Sequence, residues 1–588
     1  MCGISAYYGD NNCEEILLSF LEKLEYRGYD SSGIAVKSKN KIYLTKDACK
    51  ISELKNLIKE NHKGIGIAHT RWATHGKPNK VNAHPHYSNN KQWYVVHNGI
   101  IENYIELKKE LENDGTILKS ETDSEIIPNL LEQANVTTIN QFINCISKLT
   151  GSYAICAINK NQDELYLARY KSPLYVAQTE NGIYVSSDPI CFAEISSVYY
   201  TLQNNEFCRI FDNKLQFYNS KCELITKPYD ILNSKYSTSN KEIYSSFMEK
   251  EINEIPKVLT NIINEYIEYN YFKNITEGIT NASRIVIIGC GTAYHSGLIG
   301  AKYLENALNI PVDTTLASEF LCSNPIITPE TIYIFVSQSG ETADTLSCLN
   351  LVKSKCMSTI AITNVVYSTL AKNVDAVLPV FAGPEIAVAS TKAYNAQLLV
   401  FKLLSIYLNK NSLPRNLLNN LKTTIKKIDI KNMYYFDQLQ SIVTDYNKVF
   451  ILGKYTDYYT AMEASLKLRE ITYHNITALA SGELKHGTLA LVDNNTTCFV
   501  ISTNKETLSK NLNAISEIKA RGGKVVLITN QIIENSHFDF VINLPNTFDS
   551  IIDIVSIIPF QLLSLEKCFF NGYNPDKPRN LAKSVTVE

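Results

Sequence analysis

The sequence lacks any C-x-x-C pair and any short cluster of cysteine with histidine, although it contains 14 cysteines. Scattered cysteines of this kind argue against a disulfide-stapled scaffold and against a zinc site built on paired cysteines. They are typical of a protein that works in a reducing compartment. We therefore expect a cytoplasmic protein with no metal site.

Long apolar runs and an excess of one charge are also missing. The formal net charge is −2, so no basic field predicts binding to nucleic acid or to an anionic membrane. The chain has no uninterrupted apolar run of about 18 residues, so we expect no membrane span. The first residues do not combine a basic stretch with an apolar run, so we expect no signal peptide. The remaining composition, 45% hydrophobic and 20% charged over 588 residues, is that of a folded protein with about three or four domains.

Strand-like runs dominate residues 1–235, and helical patterns interrupt them only near 13–25 and 101–112. The runs are Lys41–Leu44, Gly64–Ala68, Tyr94–His97, Tyr153–Ile158, Leu165–Ala168 and Gly182–Ser186. Many strands with few helices between them predict an α+β sandwich. A polar, serine-rich stretch follows, and we place a linker at 236–256.

The rest of the chain alternates apolar strand-like runs with helical stretches, which predicts parallel sheets. It also repeats itself at a spacing of 164 to 166 residues. Matching pairs are Ile285–Gly289 with Val449–Gly453, Ile334–Ser337 with Phe499–Ser502, and Ala361–Asn364 with Leu527–Asn530. Such ordered agreement predicts two tandem α/β domains of one type, at 257–425 and 435–570, followed by a tail at 571–588.

Cys2 is the first candidate for chemistry. Removal of Met1 would leave a thiol and a free α-amino group on the same residue. The α-amino pKa is about 7.7–8.0, so near neutral pH this amine can take the thiol proton. On position alone, a small structural cysteine is the alternative, because thiol reactivity depends on the environment.

The loop Ser337–Thr342 differs between the two repeats. It carries three hydroxyls and a glycine after a strand-like run, whereas the matching loop reads Ser502-Thr-Asn-Lys-Glu-Thr507. Hydroxyls and backbone N–H groups at the start of a helix suit a phosphate. An ordinary serine N-cap is the alternative, and we expect the second repeat to keep only a cap.

Three further motifs lie in the repeated half. Gly289–Gly297 follows a strand and places Thr292 at a turn, which either is purely structural or brings Thr292 to a ligand. Lys467 and Glu470 are three residues apart on one helical face, where a solvated pair is the alternative. The glycine-bracketed run Ser481–Gly487 holds His486, which is either a general base or a hydrogen-bonded structural residue.

The first domain offers groups that suit an amino-acid substrate. Arg71 can hold a carboxylate in a bidentate fork. The Asn98 side chain and the Gly99 N–H can stabilise an oxyanion. The run Glu121-Thr-Asp123 offers a carboxylate for a substrate ammonium group. Taken singly, each residue also fits a strand end, a turn or a cap.

Together these motifs closely resemble the family of glutamine:fructose-6-phosphate aminotransferases, also called glucosamine-6-phosphate synthases. The resemblance covers nearly the whole chain, and the short linker is similar to that of the bacterial form. The motifs that carry it are Cys2–Ile4, Leu24–Asp30, His69–Gly76, Val96–Glu102, Ser337–Thr342, Ser481–Gly487 and Asn580–Glu588.

The resemblance implies an N-terminal-nucleophile (Ntn) class II glutamine amidotransferase domain at 1–235 and two sugar-isomerase (SIS) domains. In it, Cys2 is the nucleophile with its own amine as base, and Asn98 and Gly99 form the oxyanion hole. Trp72 matches the gate of an internal ammonia channel. The residues implied for glutamine are Arg71, Thr74, His75 and Asp123, with Arg27 in support.

For the isomerase half, the resemblance implies that Lys583 in the tail forms a Schiff base. Glu470 then moves a proton between C1 and C2, and His486 opens the sugar ring. The residues implied around the sugar phosphate are Ser337, Gln338, Ser339, Thr342, Thr292, Val388, Ser390 and Lys467.

The resemblance thus implies synthesis of glucosamine 6-phosphate from glutamine and fructose 6-phosphate, as the first step of the hexosamine pathway. It implies no cofactor and a homodimer, in which His486 is a candidate to act across the interface. The chain departs from the family pattern at Ala293, Thr488, Lys454-Tyr455 and Ser245-Ser246, none of which removes a catalytic group. A phosphoribosyl amidotransferase and a sugar-phosphate-binding regulator without turnover are the competing interpretations.

Overall fold

The structure is a computed structural model that describes residues 2–72, 76–232, 240–533 and 538–585, without the side chains of residues 274, 276 and 277. The chain divides into two compact units, Met1–Ser239 with Ala582–Glu588, and Asn240–Leu581.

The first unit is built on two antiparallel sheets. Its strands are β1 (Gly3–Asn12), β2 (Ser31–Ser38), β3 (Lys41–Asp47), β4 (Lys63–Arg71), β5 (His86–Tyr87), β6 (Trp93–Ile101), β7 (Gly151–Asn159), β8 (Glu164–Tyr170), β9 (Tyr175–Thr179), β10 (Gly182–Ser186), β11 (Val198–Thr201), β12 (Glu206–Phe211), β13 (Lys214–Tyr218), β14 (Leu224–Ile225) and β15 (Asp230–Ile231). One sheet has the order β15-β11-β9-β10-β1-β4-β2-β3, and the other has the order β14-β13-β12-β8-β7-β6-β5.

Helices cover the outer faces of these sheets. They are α1 (Cys13–Leu24), α2 (Ile51–Leu57), α3 (Tyr104–Asn113), α4 (Ile126–Gln133) and α5 (Ile139–Ile146). Successive residues of β7 point to opposite faces: Ala154 and Cys156 lie in the core between the sheets, whereas Ile155 and Ala157 lie in the core beneath α4 and α5. The predicted α+β sandwich is confirmed, and every predicted strand-like run lies in a strand.

The second unit contains two parallel sheets surrounded by helices. The strands are β16 (Arg284–Gly289), β17 (Val312–Leu316), β18 (Thr331–Ser337), β19 (Ser358–Thr363), β20 (Ala376–Pro379), β21 (Val449–Gly453), β22 (Thr477–Ala480), β23 (Thr497–Ile501), β24 (Lys524–Thr529) and β25 (Phe540–Asn543). Their orders, β17-β16-β18-β19-β20 and β22-β21-β23-β24-β25, are equivalent strand for strand.

The helices of this unit begin inside the stretch predicted as a linker, because α6 starts at Phe247. They are α6 (Phe247–Asn253), α7 (Ile255–Glu268), α8 (Lys273–Asn281), α9 (Thr292–Leu308), α10 (Ala317–Cys322), α11 (Ala343–Val352), α12 (Thr369–Asn373), α13 (Lys392–Lys410), α14 (Arg415–Ile425), α15 (Phe436–Gln440), α16 (Thr456–Thr472), α17 (Leu508–Lys519), α18 (Ile552–Val555) and α19 (Ile558–Phe570).

Backbone geometry confirms the predicted repeat. Helices α9 and α16 each have 17 residues. Each is preceded by a residue of positive φ, Gly291 at φ 54° and Tyr455 at φ 63°, and each ends in a left-handed residue, Asn309 and Tyr473. Both pairs are 164 residues apart, which matches the spacing read from the sequence.

The inner faces of both parallel sheets meet one large apolar core. Ile285 and Ile287 of β16 lie in it, as do Val449 and Ile451 of β21. Their outward neighbours pack into separate, smaller cores under α11 and α17. Burial on both faces explains why these strands read as unbroken apolar runs.

No single helix in the described ranges is long and apolar enough to cross a membrane. One bent pair of helical segments, Asn546–Val555 with Ile558–Phe570, has the length and composition of a span only when the two are taken together.

Candidate functional site

Cys2 lies at the start of β1, beside the end of β4. Gly3 pairs with Thr70, and this register brings Cys2 to the residues that follow Thr70. The Trp72 N–H donates to Cys2 Sγ at 3.3 Å. Burial raises the pKa of the Cys2 thiol, while the Trp72 N–H and the Arg71 charge act to lower it. The thiol is half-buried, and burial outweighs the neighbouring donors, so its pKa stays above the ordinary value.

Asn98 is directed at the same residue from β6. Its Nδ2 donates to the Cys2 carbonyl oxygen at 2.9 Å, and its Oδ1 lies 3.0 Å from His69 Nε2. That ring nitrogen is also 3.0 Å from the His97 carbonyl oxygen. Because both partners are acceptors, His69 carries its proton on Nε2. Burial lowers the pKa of His69 to about 3, so the ring is neutral and fixes the orientation of the Asn98 amide.

Gly99 adopts a conformation that other residues rarely reach. Its φ is +130°, and an added Cβ would lie 2.0 Å from the Ser152 carbonyl oxygen. Any side chain here would push β6 away from β7. Glycine is therefore required directly after Asn98.

Arg71 and Asp123 belong to the same region. The Asp123 carboxylate accepts from the Ile101 N–H at 2.8 Å and from Ser124 Oγ at 3.1 Å, which fixes its position. Burial lowers the pKa of Arg71, while the charges of Cys2, Asp30 and Asp123 act to raise it. The structure thus brings the predicted thiol, guanidinium and carboxylate together.

The remaining predicted residues of this unit are placed differently. Arg27 is buried and paired with Asp188 and the Tyr26 hydroxyl, so it fixes a turn. Trp72 is half-buried and reaches Cys2 through its backbone. Thr74 and His75 lie outside the described residues.

In the second unit, the first turn of α9 meets α16 through a buried polar network. Lys467 Nζ lies 2.7 Å from Glu470 Oε2 and 3.1 Å from Thr292 Oγ1. The Lys467 side chain is fully buried and Glu470 is 20% exposed, so the alternative of a solvated surface pair is wrong. Burial acts to lower the pKa of Lys467, but the Glu470 and Glu463 carboxylates outweigh it and raise that pKa. Lys467 is therefore a fixed cation.

Glu463 lies at the centre of this network and contacts three of its side chains. One carboxylate oxygen accepts from Thr292 Oγ1 at 3.0 Å and lies 3.4 Å from Lys467 Nζ. The other lies 2.7 Å from His295 Nδ1. Glu463 itself is completely buried. It connects the middle of α16 to the first turn of α9, which follows the carboxyl end of β16.

The loop Ser337–Thr342 follows β18, next to β16 and Thr292 in the sheet. Ser337 Oγ accepts from the Gly340 N–H at 3.0 Å, and Ser339 Oγ accepts from the Glu341 N–H at 3.2 Å. The N-cap of α11 is Thr342, whose side chain makes no capping hydrogen bond. The alternative of a serine N-cap is therefore wrong, and the loop is a compact turn rich in hydroxyl groups.

Other predicted isomerase residues are more dispersed. Val388 is buried, and its N–H donates to the Asp576 carbonyl oxygen at 3.3 Å. Ser390 Oγ donates to Glu385 at 2.9 Å. His486 is exposed in the loop after Ser481–Glu483. Lys583 is half-buried and lies in the C-terminal segment that groups with the first unit.

Comparison with known proteins agrees with the division into an N-terminal unit and a repeated C-terminal unit. The family model for the glutamine amidotransferase domain matches residues 69–194, and that for the SIS domain matches residues 278–407 and 442–569. A Bacillus cereus glutamine–fructose-6-phosphate aminotransferase [isomerizing] is 40% identical over 100% of both chains. The chain belongs to the glutamine–fructose-6-phosphate aminotransferase family.

Two further relatives of this aminotransferase family extend the comparison. The Clostridium acetobutylicum aminotransferase is 39% identical over 100% of both chains. A solved C-terminal domain of a glucosamine-fructose-6-phosphate aminotransferase from Francisella tularensis is 31% identical with a TM-score of 0.53. It covers 58% of this chain, and all of that domain is matched.

Three residues of this aminotransferase chain have roles in these networks that its sequence did not predict: His69, His295 and Glu463. Glu463 lies four residues before Lys467 on α16, so its helical spacing was a usable signal. His69 and His295 act through partners distant in sequence, which no local pattern reveals. Within the described residues, no group of three or more His, Cys, Asp or Glu is arranged to hold a metal ion.

Proposed function

We propose that this protein makes glucosamine 6-phosphate from fructose 6-phosphate, using ammonia that it releases from glutamine. The observation that carries this proposal is the match, over the full length of both chains, to relatives of that name at 39–40% identity. Since both halves of the chain are matched, both halves of the reaction are proposed for it.

The glutaminase half uses Cys2 as nucleophile. Removal of Met1 would expose the amine that takes the thiol proton. The thiolate attacks the glutamine side-chain amide, ammonia leaves, and water then releases glutamate from the thioester. Asn98 Nδ2 and the Gly99 N–H stabilise the oxyanion. Arg71 and Asp123, with Thr74 and His75, hold the substrate carboxylate and ammonium.

Arg27 and Trp72 have supporting roles in this half. The buried pairing of Arg27 with Asp188 supports it as a structural residue of the glutaminase site. Trp72 borders the thiol through its backbone N–H, and we propose it as the gate through which ammonia leaves.

The isomerase half holds the sugar phosphate on the loop Ser337–Thr342. Helix N-termini and hydroxyls favour a phosphate dianion, and Gln338 lies within this loop. The Lys583 amine condenses with the C2 ketone to form an imine, and the ketone oxygen leaves as water. Ammonia then displaces the lysine from C2. Glu470 moves a proton from C1 to C2, and the buried cation Lys467, 2.7 Å away, holds the Glu470 carboxylate in position.

The rest of this half surrounds the sugar. Thr292, Val388 and Ser390 are proposed to line it, and His486 to open its ring. His486 is exposed within its own chain, which favours a homodimer in which His486 serves the partner's site.

We propose a cytoplasmic location from the scattered, unpaired cysteines.

The test is to assay glucosamine 6-phosphate with glutamine or with ammonium as the nitrogen donor. Cys2→Ala should abolish the glutamine-dependent reaction and leave the ammonia-dependent reaction intact. Cys49→Ala, another half-buried cysteine, is the matched control and should retain both. Absence of product from the wild-type protein with either donor would contradict the proposal.

A further inference from the structure

The second repeat contains the same strand, loop and helix that form the proposed phosphate site in the first. Loop Ser502–Thr507 follows β23 and leads to α17, as Ser337–Thr342 follows β18 and leads to α11. Gly291 and Tyr455 have the same backbone geometry and directly precede α9 and α16, so the two helices can be aligned residue by residue from these positions. In that register, Asp457 takes the position of Ala293.

Asp457 places its carboxylate on this second loop. Its Oδ2 accepts from the Thr503 N–H at 3.0 Å and the Asn504 N–H at 3.4 Å. Its Oδ1 accepts from Thr503 Oγ1 at 2.5 Å. Asp457 is only 1% exposed, so it is a fully enclosed acceptor for these three donors. Two successive backbone N–H groups and a hydroxyl are the donor set that loops of this kind present to an anion.

The first repeat has no carboxylate at the position that matches Asp457. Ala293 carries no polar side-chain atom, and the residues that match Thr503 and Asn504 are Gln338 and Ser339. The two repeats therefore differ by a carboxylate at this helix position, and the copy that lacks it is the copy whose loop contains a glycine, Gly340, where the other has Lys505.

We propose that Asp457 occupies the anion position of the second repeat and so restricts phosphate binding to the first. The second loop is a latent site for a phosphate group, closed by the chain's own carboxylate. The inference rests on the proposed function only in assigning the first loop to the sugar phosphate.

The experiment measures the binding of radiolabelled inorganic phosphate to the full-length protein by equilibrium dialysis at constant ionic strength. Burial raises the pKa of Asp457 to about 6, so the measurement is made at about pH 8, where the carboxylate is ionised. The wild-type chain should bind one phosphate and Asp457→Ala should bind two. Asp549→Ala is the control, because Asp549 accepts from Asn530 outside this loop.

The number of phosphates bound tests the latent site in the second repeat separately from the assignment of the first loop to the sugar phosphate. One phosphate in both proteins overturns the latent site and leaves the proposed function intact. No phosphate in the wild type but one in Asp457→Ala supports the latent site and contradicts the assignment of the first loop.

The reciprocal variant keeps the inference testable if Asp457→Ala does not fold. Ala293→Asp should place a carboxylate on the first loop and weaken fructose 6-phosphate binding on the order of 100-fold by charge repulsion. Ala293→Ser adds a hydroxyl without charge and should bind within a few-fold of wild type. Equal affinities for Ala293→Asp and Ala293→Ser, with unchanged thermal unfolding, would overturn the inference.

Discussion

The buried ring of His69 orients a proposed catalytic residue, Asn98, through the hydrogen bonds of one ring nitrogen. Its Nε2–H is shared by the Asn98 amide oxygen and the His97 carbonyl, both at 3.0 Å. Because the Asn98 oxygen is held, its amide nitrogen must face Cys2. A neutral, buried imidazole thus selects between the two orientations that an amide can adopt.

Replacing His69 should affect the chemistry of glutamine more than its binding. We expect His69→Ala to lower kcat for glutamine hydrolysis by roughly 10- to 100-fold and to leave KM for glutamine within a few-fold. His62→Ala is the control, since His62 pairs with Glu14 away from this site. Steady-state kinetics of glutamate release measures both, and a change confined to KM would contradict the positioning role.

Glu463 and Glu470 offer a contrast between stability and catalysis on one helix. Glu463 is completely buried among three polar partners, so Glu463→Gln removes one charge of a buried pair and should cost about 3 kcal/mol of stability. Glu470 is partly exposed, so Glu470→Gln should abolish the proposed proton transfer with little loss of stability. Thermal unfolding and the ammonia-dependent assay separate the two, and equal midpoints for both variants would contradict this distinction.

The helical spacing of Lys467 and Glu470 predicted correctly that they share a face. The same spacing did not show that the face is buried, because burial comes from α9, whose Thr292 and His295 are about 170 positions earlier in the chain. Local periodicity gives the orientation of side chains along one helix, but not the element packed against it.

Among the elements, apolar patterning predicted the strands well. Parallel strands buried on both faces, such as β16 and β21, read as unbroken apolar runs, and all ten residues of the two matching segments quoted for them fall in these strands. Helices α2, α4 and α5 were missed because they have only seven or eight residues, too few to establish a period. The linker prediction extended too far because α6 is short and begins after two serines.

Gly340 sets the shape of the loop after β18. Its φ is +65°, and an added Cβ would lie 2.0 Å from Ser368 Oγ. Gly340→Ala should therefore raise KM for fructose 6-phosphate by about tenfold or more. Gly383→Ala is a matched control, because Gly383 has φ +68° with nothing within 4 Å of the added atom. An effect of equal size in both variants would show that φ strain, not the contact with Ser368, is responsible.

At the scale of the whole molecule, the proposed homodimer can be tested through His486, which is exposed within its own chain. Mixing inactive His486→Ala and Glu470→Gln proteins under conditions of subunit exchange should restore about a quarter of wild-type activity. Random pairing makes half of the dimers mixed, and one of their two sites is then intact. If His486 acts within its own chain, every site keeps one lesion and the mixture stays inactive. Each variant mixed with itself is the control.

The single core beneath both parallel sheets has a consequence for how this half of the chain melts. Neither sheet covers its inner face alone, since Ile285 and Ile287 share one apolar cluster with Val449 and Ile451. Separating the two repeats would expose that face to water, at a cost of about 25 cal/mol for each Å² uncovered. We therefore expect the duplicated halves to unfold as one cooperative unit, and protease cleavage between them should lower the unfolding temperature of both halves together.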